Sequence, residues 1–132
     1  MIEYFDAPDI KKRVAEVVDL LRFDHVDQDK LYCIRSRGSE SKKTIARIHG
    51  LGRIWQEALR LRPTYILEVI HELFDYYPRQ VQDRTLIHEL MHIPHSFQGG
   101  FRHHKNHVSQ DNVDIWYSRY LQIRKDRGLD KT

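Results

Sequence analysis

Residues 79–94 read RQVQDRTLIHELMHIP, and this stretch decides how the rest of the chain is read. Pro78 suits the first turn of a helix and Pro94 stops one, so the spacing predicts a helix over Arg79 to Ile93. Within it stands His88-Glu89-Leu90-Met91-His92, a pair of histidines at i and i+4 with a glutamate beside the first. That spacing puts both imidazoles on one helical face, a turn apart, where both can reach one tetrahedral Zn²⁺. Glu89 is then close enough to take a proton from water activated by the ion. Leu86, Leu90 and Ile93, with Ile87 and Met91, supply apolar faces that seat the helix in a core and make it a rigid platform. Two histidines that satisfy hydrogen bonds in a packed helix would have the same spacing. The apolar flanks and the histidines downstream favour the metal.

Zinc in a catalytic site takes three protein ligands and leaves a fourth position open. The chain holds nine histidines, six of them (His88, His92, His95, His103, His104 and His107) within twenty positions. The HExxHxxGxxH arrangement is absent, because His95 and Gln98 stand where Gly and His are wanted. A downstream helical Glu is missing too, although Asp111 or Asp114 could substitute. His103, His104 and His107 follow closely enough for a loop to fold back over the metal. His95, His107, Tyr117 and Tyr120 are candidate oxyanion donors, in no order.

Outward from this helix, the chain reads as α+β. Asp6-Ala7-Pro8-Asp9 opens a helix, with Asp6 as its cap. Ile10, Val14, Val17, Val18 and Leu21 then form one apolar stripe. Lys30 to Arg37 is β-prone and Gly38 to Ser41 is the turn after it. Thr44 to His49 is a second strand candidate, closed by Gly50 and Gly52. Ile54 to Leu61 has helical spacing and ends before Pro63. Tyr65 to Ile70 (YILEVI) is the best strand in the chain, either with an exposed edge that could hold an extended peptide or, at least as readily, as a plain sheet strand in the core. Phe97 to Phe101 is a loop. A last helix runs from about Gln110 to Arg124, with Val113, Trp116, Tyr117, Tyr120 and Leu121 on one face.

The chain has 132 residues, 40% hydrophobic and 31% charged, which suits one domain over 1–132. No apolar run approaches the ~18 residues of a membrane span, and the N-terminus lacks the segments of a signal peptide. A single cysteine, Cys33, cannot form an internal disulfide and points to a reducing cytoplasm; it reads as a buried sheet residue. Net charge is +3, which permits nucleic acid without arguing for it. Arg35, Arg37, Lys42 and Lys43 read as a solvated turn, Trp116, Tyr117 and Tyr120 as packing, and His25, His49 and His71 as surface or core.

Residues 86–94 (LIHELMHIP), followed by Gly99-Gly100-Phe101-Arg102-His103-His104, resemble the minimal zinc metallopeptidases predicted in archaea and phages, related to the SprT-like zincins. The likeness covers roughly positions 44 to 105, including Arg53 to Ile70 as the strand region before the active-site helix. It implies a zincin fold: an N-terminal helix, a small mixed sheet, the HExxH helix and a C-terminal helix. It also implies peptide-bond hydrolysis, with a peptide or protein as substrate. In that family a Leu-Arg-Pro-His-Asp-like segment follows the glycine loop and its His is the third ligand. Matched residue by residue, that position falls on His104, with His103 where Pro is usual and Lys105 where Asp is usual. The expected set is therefore His88, His92 and His104 on Zn²⁺ with Glu89 as general base. The alternative is a non-enzymatic, metal-stabilised module that binds nucleic acid through the basic segment Arg35–Lys43. A site occluded by one of the extra histidines or a carboxylate is a third possibility.

Overall fold

The computed structural model describes residues 1–94 and 108–129. Among them, a four-stranded mixed sheet carries helices on one face. β1 (Glu3–Asp6) leads into α1 (Pro8–Leu21), and a 3-10 turn at Gln28–Lys30 precedes β2 (Leu31–Arg37). β3 (Ala46–Gly50), α2 (Arg53–Leu59) and β4 (Tyr65–Ile70) follow. Then come α3 (His71–Phe74), α4 (Arg79–Met91) and α5 (Gln110–Asp126). Strand order is β1-β2-β4-β3, with β2 and β4 parallel and both outer pairs antiparallel. The α+β class read from the sequence is the architecture found.

The core lies between the sheet and α1, α4 and α5. The α1 stripe is buried as its spacing requires: Ile10, Val14, Val17, Val18 and Leu21 all face inward. They meet Leu31 and Cys33 of β2 and Tyr65, Leu67 and Val69 of β4 in one cluster with Leu86, Ile87 and Leu90 of α4. The period-2 alternation of β4 sends Tyr65, Leu67 and Val69 to this side. Cys33 is the buried sheet residue expected, and burial pushes its thiol up to about 11. An ion pair ties the first helix to the fourth: Arg13 of α1 meets Asp83 of α4 at 2.6 Å. Arg79 reaches the same carboxylate from the preceding turn at 3.2 Å.

Three expectations are narrowed or changed. The N-terminal segment is a strand before it is a helix: Asp6 is the last residue of β1, and Ala7 is the N-cap of α1 without a side-chain cap. Every β1 residue is exposed, so no alternation marks it. Its neighbour explains how it is held: Gly38, at φ +94°, brings the chain to where an added Cβ would lie 2.7 Å from the Met1 carbonyl oxygen. Second, of the two readings of Tyr65–Ile70 the core sheet strand is the one found: β4 lies between β2 and β3 with both edges occupied. Third, α2 forms where its spacing predicts, yet none of its residues is buried. No described helix is long and apolar enough to cross a membrane.

Candidate active site

The site is built where α4 ends beside an edge strand. Leu86, Ile87 and Leu90 are fully buried and anchor the last turns of the helix. His88 lies in the last turn and His92 is the C-cap, still in the right-handed helical region at φ −70°, ψ −20°. The helix tightens as it stops: the amides of His92 and Ile93 donate to the carbonyls of Glu89 and Leu90, each at 3.2 Å. Pro94 stands one residue farther on. Because His92 keeps helical dihedrals, the i, i+4 register survives to the end of the helix.

The two imidazoles converge. His88 Nε2 and His92 Nε2 lie 3.1 Å apart, with ring centroids at 5.0 Å and planes at 52°. Two nitrogens on one tetrahedral zinc at 2.0–2.1 Å stand about 3.3 Å apart, so this pair has the separation a shared ion requires. The place also suits a cation: the C-terminal end of a helix carries the negative end of its dipole. His92 is buried and His88 half-buried, which leaves one side of the pair open to the cleft.

Glu89 points to the neighbouring strand. Burial pushes its carboxyl up to about 7, and the nearby Ile48 backbone N–H pulls weakly the other way, short of a formed hydrogen bond. Ile48 belongs to β3, which among the described residues pairs with β4 alone. The Ile45 carbonyl accepts from Ile70 N–H, and Leu51 N–H donates to the Thr64 carbonyl. Odd-numbered residues of this segment therefore bond inward, and Ala46, Ile48 and Gly50 turn their backbone groups off the open edge. A cleft of about 300 Å³ runs between this edge and the helices. Lys43, Thr44 and Ala46 line it on the strand side, with Thr85, His88 and Glu89 on α4 and Val113 on α5.

The structure brings together His88, His92 and Glu89. His104, the expected third ligand, and His95, His103 and His107 lie outside the described residues. Among the described residues, no group of three His, Cys, Asp or Glu could hold a metal, so neither Asp111 nor Asp114 completes the set. Asp114 is engaged elsewhere, ion-paired to Arg84 and accepting from Gln110 at 3.3 Å. The oxyanion candidates on α5 also fall away. Tyr120 is 1% exposed and donates to Glu16 of α1 at 3.2 Å, its hydroxyl pushed up to about 12 by burial. Tyr117 lies under the Arg84 guanidinium and lines a different groove, between α4 and α5. Trp116 packs edge-on against Phe23 at 5.1 Å, as its helical spacing suggests. Arg35 is not a turn residue: it bonds both oxygens of Asp9 and also Asp75, pinning β2 to α1 and to the segment after α3.

Nothing in the pattern of residues 46–50 marks β3 as the wall of the cleft. Its Ile48 amide is a backbone group, and only the sheet order reveals it. No curated protein and no solved structure matches the chain. A family model described as "Putative phage metallopeptidase" matches residues 2–116, from β1 into α5. With that match spanning most of the chain, the protein belongs to the phage metallopeptidase family.

Proposed function

We propose that this protein is a zinc-dependent peptidase of minimal SprT-like zincin type, with His88, His92 and His104 as metal ligands and Glu89 as general base. The observation that carries the reading is the 3.1 Å convergence of the two imidazole Nε2 atoms, with Glu89 following His88 on the same helix and lining the same cleft. Neutral imidazoles and one further nitrogen suit Zn²⁺. When bound, the ion supplies Lewis acidity that acidifies water and polarises a carbonyl. Glu89 takes the proton of the attacking water and delivers it to the leaving amine. The edge of β3 receives the substrate as an added strand. Its Ala46 and Gly50 backbone groups bond the peptide and bring a scissile carbonyl against His88 and Glu89. This edge replaces the one the sequence suggests on Tyr65–Ile70.

The test is hydrolysis of an unfolded protein and of a peptide mixture, followed by mass spectrometry, with zinc present and after chelation. Wild type cleaves only with zinc, and Glu89→Gln loses about 10²–10⁴-fold in rate while keeping its fold. Cleavage that survives in Glu89→Gln, or a wild type that binds zinc and cleaves nothing, contradicts the reading. His104→Ala and His103→Ala, assayed side by side, identify the third ligand as the one whose loss abolishes activity.

A further inference from the structure

α2 is an amphipathic helix exposed on both its sides, with Gln56 alone half-buried. At 100° per residue, Ile54, Trp55, Ala58 and Leu59 fall on one side of Arg53–Leu59, and Arg53, Gln56 and Glu57 on the other; Arg60 is the left-handed C-cap and Leu61 follows it. In a globular protein the first set packs inward. Here Ile54 is 78% exposed, Trp55 59%, Leu59 55% and Leu61 48%. The polar side holds the helix to its own segment, through Gln56 Nε2 donating to the Leu51 carbonyl at 2.8 Å. On the sheet, the paired residues Tyr32 and Ile66 are exposed as well. Large apolar surface left in water marks an interaction site.

Charge narrows the partner. Between Lys42 and Arg62 stand six cationic side chains and a single carboxylate, Glu57. That is more net positive charge than the chain as a whole carries, +3. Arg53 and Arg60 are exposed at the two ends of α2. A second copy of the same surface would bring like charges together. Nucleic acid would use the cations and one aromatic ring but gains little from Ile54, Leu59 and Leu61, which offer it neither stacking nor hydrogen bonds. A protein partner would have to supply the groove for α2, a convex element without a buried residue, and carboxylates for the arginines beside it. A bilayer interface asks for what is present: aliphatic and indole side chains to enter the headgroup–acyl boundary, and arginines beside them for anionic headgroups.

We propose that α2 is a membrane-docking tip that seats the protein peripherally on anionic lipid bilayers, with Trp55, Ile54, Leu59 and Leu61 entering the interface and Arg53 and Arg60 contacting the headgroups. Docking does not use the metal or Glu89. The experiment is sedimentation of the full chain with phosphatidylcholine vesicles, with and without phosphatidylglycerol, together with tryptophan emission. Wild type sediments with the anionic vesicles only, and its emission shifts to the blue. Ile54→Ser with Trp55→Ser abolishes sedimentation, and Arg53→Glu with Arg60→Glu weakens it more than about tenfold. Tyr76→Ser, at another exposed aromatic residue, and Glu89→Gln sediment as wild type. Thermal unfolding checks that every variant folds, as expected for exposed positions. Equal sedimentation with neutral vesicles, unchanged sedimentation of the α2 variants, or a DNA oligonucleotide bound through the same residues in place of vesicles overturns the proposal. So does a dimer that forms through α2 and dissociates in the Ile54/Trp55 variant.

Discussion

Two imidazole nitrogens stand 3.1 Å apart at the end of a buried helix, and at the scale of the residue everything else depends on them. The HExxH spacing makes this pair legible in the sequence, because helical periodicity alone fixes which side chains share a face. What spacing cannot supply is the surroundings of Glu89: its burial and its contact with Ile48 arise from strand order. A second carboxylate illustrates the same limit. Glu68 of β4 is buried, which raises its pKa. The Ser36 hydroxyl (an approach short of good hydrogen-bond geometry), His49 at 2.8 Å and Arg47 together outweigh that and leave it below the usual range. A folded-state pKa below the unfolded one adds stability at neutral pH, lost as pH falls from the ordinary carboxylate value through the depressed one. Denaturant midpoints measured down that range should therefore decline. In Glu68→Gln the decline should be shallower, with lower stability at neutral pH.

At the scale of the element, α1 is readable because its apolar stripe is the face that is buried. β2 and β4 are readable by their β-branched and aromatic content, and α4 by the prolines that bound it and the HExxH spacing within it. No such pattern marks the burial of Ser36, Glu68 and Asp83. β1 and the role of β3 are not readable in this way. β1 is a four-residue edge strand with all side chains exposed, so it has no inward face for a pattern to mark. The orientation of α2 is likewise hidden, since periodicity defines an apolar side without saying what it meets. Three substitutions test how the elements are held. Leu90→Ala removes a fully buried side chain between the two histidines and should cost about 2–5 kcal/mol in denaturant unfolding; on the reading proposed above, zinc retention should weaken as well, because the platform loosens. Asp83→Ala takes the carboxylate from the Arg13 guanidinium, whose side chain is only 17% exposed, and leaves it the neutral Gln82 amide oxygen at 2.8 Å. It should cost roughly 2–3 kcal/mol and leave zinc binding intact, because the pair lies away from the histidines. Gly38→Ala meets both a positive φ and the Met1 carbonyl oxygen at 2.7 Å, so it should release β1 first, seen as faster amide exchange at Glu3–Asp6 than elsewhere in the sheet.

For the whole molecule, the match over residues 2–116 extends well past the HExxH helix and the glycine loop whose motifs carry the resemblance. It takes in β1, α1 and most of the elements that frame the cleft. The sheet is organised around that cleft: β4 is central, β3 closes the edge beside α4, and α1 braces α4 from behind through Arg13 and Asp83. On the reading proposed above, this frame presents His88 and His92 to one zinc ion, independently of the base that would use it. Elemental analysis of purified wild type, His88→Ala, His92→Ala and Glu89→Gln tests that reading most directly. Wild type and Glu89→Gln should each hold about one zinc per chain and either histidine variant none, with zinc raising the thermal midpoint of wild type. A wild type that folds without metal and gains no stability from added zinc, or histidine variants that keep the ion, would contradict it.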